Sequence, residues 1–190
     1  MSKDNERLVQ FMNGYAAALE LARRAADNGF LIEFIILAAA AIDGALRTGL
    51  VLQHQLDTKS SEISAELYLQ RDEDKAISER QIYRRALEKK IISVKLFDEL
   101  QDLYTARNRV VHRYIISDIT TEKVFQIGRR FEDVLRKIYD AIWVLEDQQA
   151  RLGVGMAQKV QRGDEDLKTI EAMAKVKHGA EWLAHAFRRK

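Results

Sequence analysis

The stretch LFDELQDLYTARNRVVHRY, residues 96–114, sets the fold class. Leu96, Leu100, Leu103, Arg107, Val110 and Tyr114 recur at steps of four, three, four, three and four. That spacing puts their side chains on one face of an α-helix, because the helix repeats every 3.6 residues. The face is apolar or aromatic except at Arg107. The helix therefore packs, and it carries a guanidinium on its packing side.

The helical reading extends in both directions. From Val51 to Ile127 neither Gly nor Pro occurs, and the 190-residue chain has no Pro and nine Gly. Helix interiors exclude both residues, whereas sandwiches and barrels use them at their turns, so the chain reads as all-α. Upstream, Ser93 caps the quoted helix, and Ser78-x-x-Gln81 forms a capping box that opens a shorter helix through Ile82, Ala86 and Leu87. Leu8, Phe11, Tyr15, Ala18, Ala22 and Ala25 line a first helix that stops at Asn28-Gly29. A second runs from about Leu31 into the fifties. Downstream, Ser117 to Thr120 interrupts the pattern, Thr120 or Thr121 caps a new start, and Val124, Ile127, Phe131, Val134, Ile138, Ala141 and Leu145 line the last long helix. The expectation is an up-down helical bundle over residues 1–150.

Two segments depart from it. In residues 62–76, Ile63, Leu67 and Tyr68 fit a short helix, while Arg71-Asp72-Glu73-Asp74-Lys75 reads as a solvated charge cluster, so a mobile excursion is expected. Gly153, Gly155 and Gly163 mark a loosened linker. Beyond it, Leu167, Ile170, Met173, Val176, Ala180, Leu183 and Phe187 give an amphipathic helix with the basic tip Arg188-Arg189-Lys190. Residues 151–190 thus form a linker and a C-terminal basic helix, whose apolar face needs a protein surface to cover it.

With 47% hydrophobic and 32% charged residues the chain has material for a core and is not a disordered polymer. It has no Cys, which removes thiol catalysis and Cys-ligated metals and suits a reducing cytoplasm. The charged start is unlike a signal peptide. The most apolar run, Phe30 to Ile42, contains Glu33 and precedes Asp43 and Arg47, so it reads as a buried bundle helix and no membrane partner is expected. Residues 1–150 hold 22 Lys and Arg against 24 Asp and Glu, and residues 151–190 hold 9 against 5. A near-neutral body argues against nonspecific coating of nucleic acid, and DNA is not an expected partner.

Most enzyme signatures are missing: there is no Gly-rich phosphate loop, no H-E-x-x-H and no G-x-S-x-G, and no cofactor is expected. His178-x2-Glu181-x3-His185 places its two imidazoles seven residues apart, about 10.5 Å along a helix, too far to share one ion, so no metal is expected either. One cluster stands out, Arg107-Asn108-Arg109-Val110-Val111-His112-Arg113-Tyr114, in a stretch with no acid between Asp102 and Asp118. An Arg and a His five apart arise by chance about 0.4 times in a chain of this composition. Adding the Asn after the Arg and the Tyr two after the His lowers that to about 0.0003, so the full pattern is informative where the pair is not.

Arg-Asn-x3-His-x-Tyr near the end of a late bundle helix resembles the signature of HEPN-domain proteins, small all-helical nucleases and nucleotide-associated modules. The Arg-x4-His-x-Tyr form is similar to the HepT-like toxins in particular. The short helix, Ser-containing break and long helix between Arg85 and Leu103 also resemble that family. The resemblance covers residues 8–150 in architecture, and its specific content is residues 107–114. It implies a metal-independent endoribonuclease, the toxin of a toxin–antitoxin pair, acting on RNA as a homodimer in which two motifs face one cleft. His112 would be the acid/base and Arg107 the phosphate clamp. Asn108 would orient groups by hydrogen bonding, and Tyr114 would support the site or be nucleotidylated by a cognate nucleotidyltransferase antitoxin. Arg109 and Arg113 would form an RNA-steering rim. A noncatalytic module of the same kind, binding nucleotide or RNA or serving as a dimeric adaptor, is the other reading.

Helix geometry adds a constraint. At about 100° per residue Arg107 and His112 diverge by about 140°, so one straight helix does not aim both at a single phosphate. Either the helix is distorted or ending near His112, or a second chain completes the site. The residues also have plain structural readings: Arg107 paired with a helix carboxylate such as Asp43, His112 as a cation at a helix C-terminus, and Tyr114 as core or interface.

Overall fold

The computed structural model describes residues 3–68, 76–157 and 164–178, and every regular element among them is helical. The first helix, α1 (Lys3–Asp27), ends where Gly29 takes the left-handed conformation at φ 72°, and Phe30 N–H closes the turn on Ala25 C=O at 2.8 Å. The chain reverses into α2 (Leu31–Thr58). The Ser78/Gln81 capping box opens α3 (Glu79–Glu88), and the Ser93 hydroxyl accepts from Leu96 N–H to open α4 (Val94–Arg113). Thr120 caps α5 (Thr121–Leu152), and α6 (Asp164–His178) follows. The starts and stops expected for the helices of residues 1–150 are those observed.

α2 is the central helix, packed against α1, α3, α4 and α5. Contacts set the directions. Phe34 lies on Gly128 and Gln149 reaches Leu52, so α2 and α5 run parallel. Glu99 meets Lys137 and Asp102 meets Arg130, so α4 and α5 are antiparallel. Ile35, Ile42, Leu46, Leu100, Leu103, Phe131 and Ile138 fill the space between them and are shut off from solvent. Among the described residues α2 is the one helix long and apolar enough to cross a membrane, and most of that stretch is buried by its neighbours. Gly44 lets Tyr15 close on α2, since a Cβ there would sit 2.8 Å from the ring.

Both expected loose segments are tied down where they are described. Arg47, 8% exposed, donates from Nε to Asp43 at 2.6 Å, from Nη1 to Leu67 C=O at 3.0 Å and from Nη2 to Ile77 C=O at 2.9 Å. It therefore holds both shoulders of the excursion. Leu67 and Tyr68 are buried in and beside a 3-10 turn (Ala65–Leu67), so the mobile reading is corrected there, while residues 71–75 lie outside the described residues. At the end of α5 the fully buried Gln149 donates to Leu52 C=O and Gln55 Oε1 and accepts from the N–H groups of Met156 and Ala157. Residues 153–157 are held by that amide rather than loosened, and residues 158–163 of the expected linker lie outside the described residues.

α6 packs on α1 of its own chain, with Ala174 buried against Ala16 and Ala17 and flanked by Ile170 and Met173. The alanines allow close approach of the two backbones. Val176, placed on the apolar face by periodicity, is 70% exposed instead. His178 Nε2 lies 3.9 Å from Glu20. Ala180, Glu181, Leu183, His185, Phe187 and the basic tip lie outside the described residues.

Candidate functional site

α4 delivers the motif. It is helical through Arg113, and Tyr114 keeps right-handed helical angles (φ −55°, ψ −44°), so no distortion swings His112 towards Arg107. The helix ends one residue past His112 but ends regularly, and the divergence of about 140° stands. The structure therefore does not bring Arg107 and His112 together within one chain.

Arg107 faces α3. Its Nη1 donates to Glu79 Oε1 at 2.6 Å, and its Nε and Nη2 donate to the neighbouring Asn108 Oδ1 at 3.3 and 3.0 Å. The guanidinium carbon sits 4.9 Å from the centre of the Tyr104 ring, a cation–π distance. These contacts use three of the five N–H directions of a guanidinium and fix its plane. The side chain is 17% exposed, so it is braced without being sealed. The expected structural partner, Asp43, pairs with Arg47 instead, and the acid on Arg107 is Glu79.

Glu79 owes its position to the cap. Ser78 and Gln81 lock the first turn of α3, and the Tyr83 hydroxyl donates to Glu79 Oε2 at 3.4 Å. Burial, aided by the nearby Glu79 and Asp43 charges, pushes the Tyr83 hydroxyl far above its ordinary range, so it remains a donor. Burial also raises the Asp43 carboxyl above its usual value against the opposing pull of Arg47. Asp43, Arg47, Glu79 and Arg107 thus form a partly buried set of alternating charge joining α2, α3 and α4.

His112 differs from Arg107 in every respect. It is exposed in the last turn of α4 and makes no hydrogen bond or ion pair with the described residues. Asn108, one turn earlier and half-buried, has its carbonyl oxygen taken up by Arg107. Tyr114 is 36% exposed and its hydroxyl lies 3.1 Å from Thr121 Oγ1 across the turn to α5, so it is a surface group rather than a core one. Arg109 pairs with Asp118, and Arg113 is exposed. Around this end of the bundle Ile115 is 94% and Ile116 81% exposed, with Val111 and Phe125 also open.

The sequence reading missed Glu79, Tyr104 and Arg80. Arg80 also stacks on Tyr104, at 5.6 Å, and its Nε donates to Gln101 Oε1 at 2.7 Å. Tyr104 carried a readable signal, since it lies three residues before Arg107 on the same helix. Nothing local in the sequence connects Glu79 to Arg107. In comparisons with protein-family models, curated proteins and solved structures, the chain has no match.

Proposed function

We propose that the protein is a metal-independent endoribonuclease of HEPN type, the toxin of a toxin–antitoxin pair, with a composite site formed by two chains. The observation that carries this reading is the contrast along α4 between an exposed His112, unengaged by the described residues, and a braced Arg107 on the other side of the same helix. In a homodimer, His112 of one protomer meets Arg107 of the other across a two-fold axis, which answers the divergence within each chain. His112 takes the ribose 2′-hydroxyl proton or gives one to the leaving 5′-oxygen. Arg107, its plane held by Glu79 and Tyr104, uses its remaining N–H groups on the phosphate oxygens as their charge builds. Asn108 and Tyr114 flank the reacting groups, and a nucleotidyltransferase antitoxin that modified Tyr114 would block the cleft.

The test is cleavage of RNA by the purified protein in EDTA, wild type against His112→Ala. Products ending in 2′,3′-cyclic phosphate that vanish in the variant are expected. Equal inertness of two folded, dimeric proteins overturns the enzyme. In that case the noncatalytic RNA- or nucleotide-binding module, or dimeric adaptor, takes its place, a reading supported by the in-chain pairing of Arg107 with Glu79.

A further inference from the structure

The groove between α4 and α5 is a second basic feature, separate from the Arg107 side of the bundle. It has a volume of about 530 Å³ and is lined by Thr105, Ala106 and Arg109 of α4, by Lys123, Gln126 and Arg130 of α5, and by Asp102, Ile119 and Ile127. Three cations and one acid line it. Asp118 reaches in from the turn to pair with Arg109 and lies 4.0 Å from Lys123, and Asp102 lies 3.9 Å from Arg130. Both acids are more than three-quarters exposed, so these pairs are solvated and readily exchanged for another anion. Ala106, Ile119 and Ile127 give the groove an apolar floor between its polar walls.

Its orientation relates it to the motif. Thr105 precedes His112 by seven residues, which places them within about 20° of each other around α4 and about 10.5 Å apart along it. Arg109 is three residues from His112, on an adjoining line of the same helix. On α5, Lys123 and Arg130 are likewise seven residues apart and face one side. The groove therefore runs to the His112 face, whereas Arg107 lies on the opposite side of α4.

From this placement we infer that the α4–α5 groove is the track for the single-stranded RNA backbone leading to His112. The inference rests on the ribonuclease reading for its choice of nucleic acid. Arg109, Lys123 and Arg130 take successive phosphates in place of Asp118 and Asp102, Gln126 and Thr105 hydrogen-bond the sugar-phosphate chain, and the isoleucines carry a ribose or base face. A single strand is required because the bond to be broken must leave helical stacking to align for in-line attack.

The experiment measures binding of a short fluorescein-labelled oligouridine to the full-length protein by anisotropy, in EDTA, over a salt series. Lys123→Ala combined with Arg130→Ala is compared with Arg129→Ala combined with Arg136→Ala, a pair of exposed arginines on the same helix that do not line the groove. The groove double variant is expected to bind at least tenfold more weakly, with the slope of log affinity against log salt reduced by about 1.4, since each phosphate contact to a single strand contributes about 0.7. The control pair retains both. Asp102→Asn, which removes a competing acid, is expected to tighten binding. Equal weakening by both double variants, or none by the groove variant in a protein with unchanged thermal unfolding, overturns the track. The two readings fail separately: RNA bound in the groove but never cleaved removes the enzyme and keeps the track, while cleavage with KM unchanged by the groove variants does the reverse.

Discussion

Arg107 Nη1 and Glu79 Oε1 meet at 2.6 Å across 28 residues of chain, joining the end of α4 to the start of α3. The pair is largely buried, so removing the acid strands a partly desolvated guanidinium. Glu79→Ala is expected to cost about 1–3 kcal/mol of folding stability, and Glu79→Gln less, because the amide oxygen still accepts. His112→Ala, at an exposed position with no partner among the described residues, is expected within about 0.5 kcal/mol of wild type. Urea unfolding of the three variants tests the contrast. A large loss for His112→Ala would mean the imidazole is structural and would disqualify it as a clean probe of activity.

The buried Asp43 predicts a pH dependence. Its folded carboxyl is raised above the ordinary 3.8, chiefly by desolvation, so the fold favours the protonated form. Below that value both folded and unfolded chains hold the proton. As pH rises through it the unfolded chain releases first, and stability falls by at most about 1.4 kcal/mol per pH unit until the native carboxyl ionises. Asp43→Asn removes this contribution. Unfolding free energies measured from about pH 3.8 upward should therefore shift progressively in the variant's favour, and a difference that stays flat or moves the other way contradicts the assignment.

At the far end of the bundle, Gly155 has φ 76°, and a Cβ there would lie 2.4 Å from the Gln149 amide. Gly155→Ala meets both backbone strain and overpacking, about 2–4 kcal/mol in all. Gly153→Ala has similar strain at φ 65° but nothing within 4 Å, so it should cost about 1–2 kcal/mol. Gln149→Leu leaves the Ala157 N–H without its acceptor, leaves Met156 N–H with Gln55 Oε1 alone, and strips Leu52 C=O and Gln55 Oε1 of a donor, so it should cost at least about 3 kcal/mol. Thermal unfolding ranks the three, and the predicted order puts Gly153→Ala as the mildest.

The isoleucines of the α4–α5 turn bear on assembly. Ile115 and Ile116 contribute almost nothing to the fold of one chain, being 94% and 81% exposed. If the proposed two-fold site buries them, Ile115→Ser with Ile116→Ser weakens self-association at least tenfold by sedimentation and lowers the proposed RNA cleavage in step, with thermal unfolding of the monomer unchanged. Unaltered association moves the interface to another face.

Residue spacing by itself determined the helices, because periodicity, caps and turn glycines are local: Ser78, Ser93 and Thr120 cap where they were expected to, and the Leu96 to Tyr114 stripe folds as one helix. It also singled out residues 107–114 as the candidate chemistry. Tertiary structure decided which partners those residues have. Arg47 anchors a segment that reads as loose, Gln149 fixes a glycine-rich turn, and Glu79 rather than Asp43 holds Arg107. Each of these contacts joins residues whose separation is set by how helices pack, and a buried polar group must find its partner wherever packing places one. The divergence of Arg107 from His112 belongs to both levels. Helix geometry states it from the sequence, and the regular backbone through Arg113 is what keeps it from being undone within a single chain.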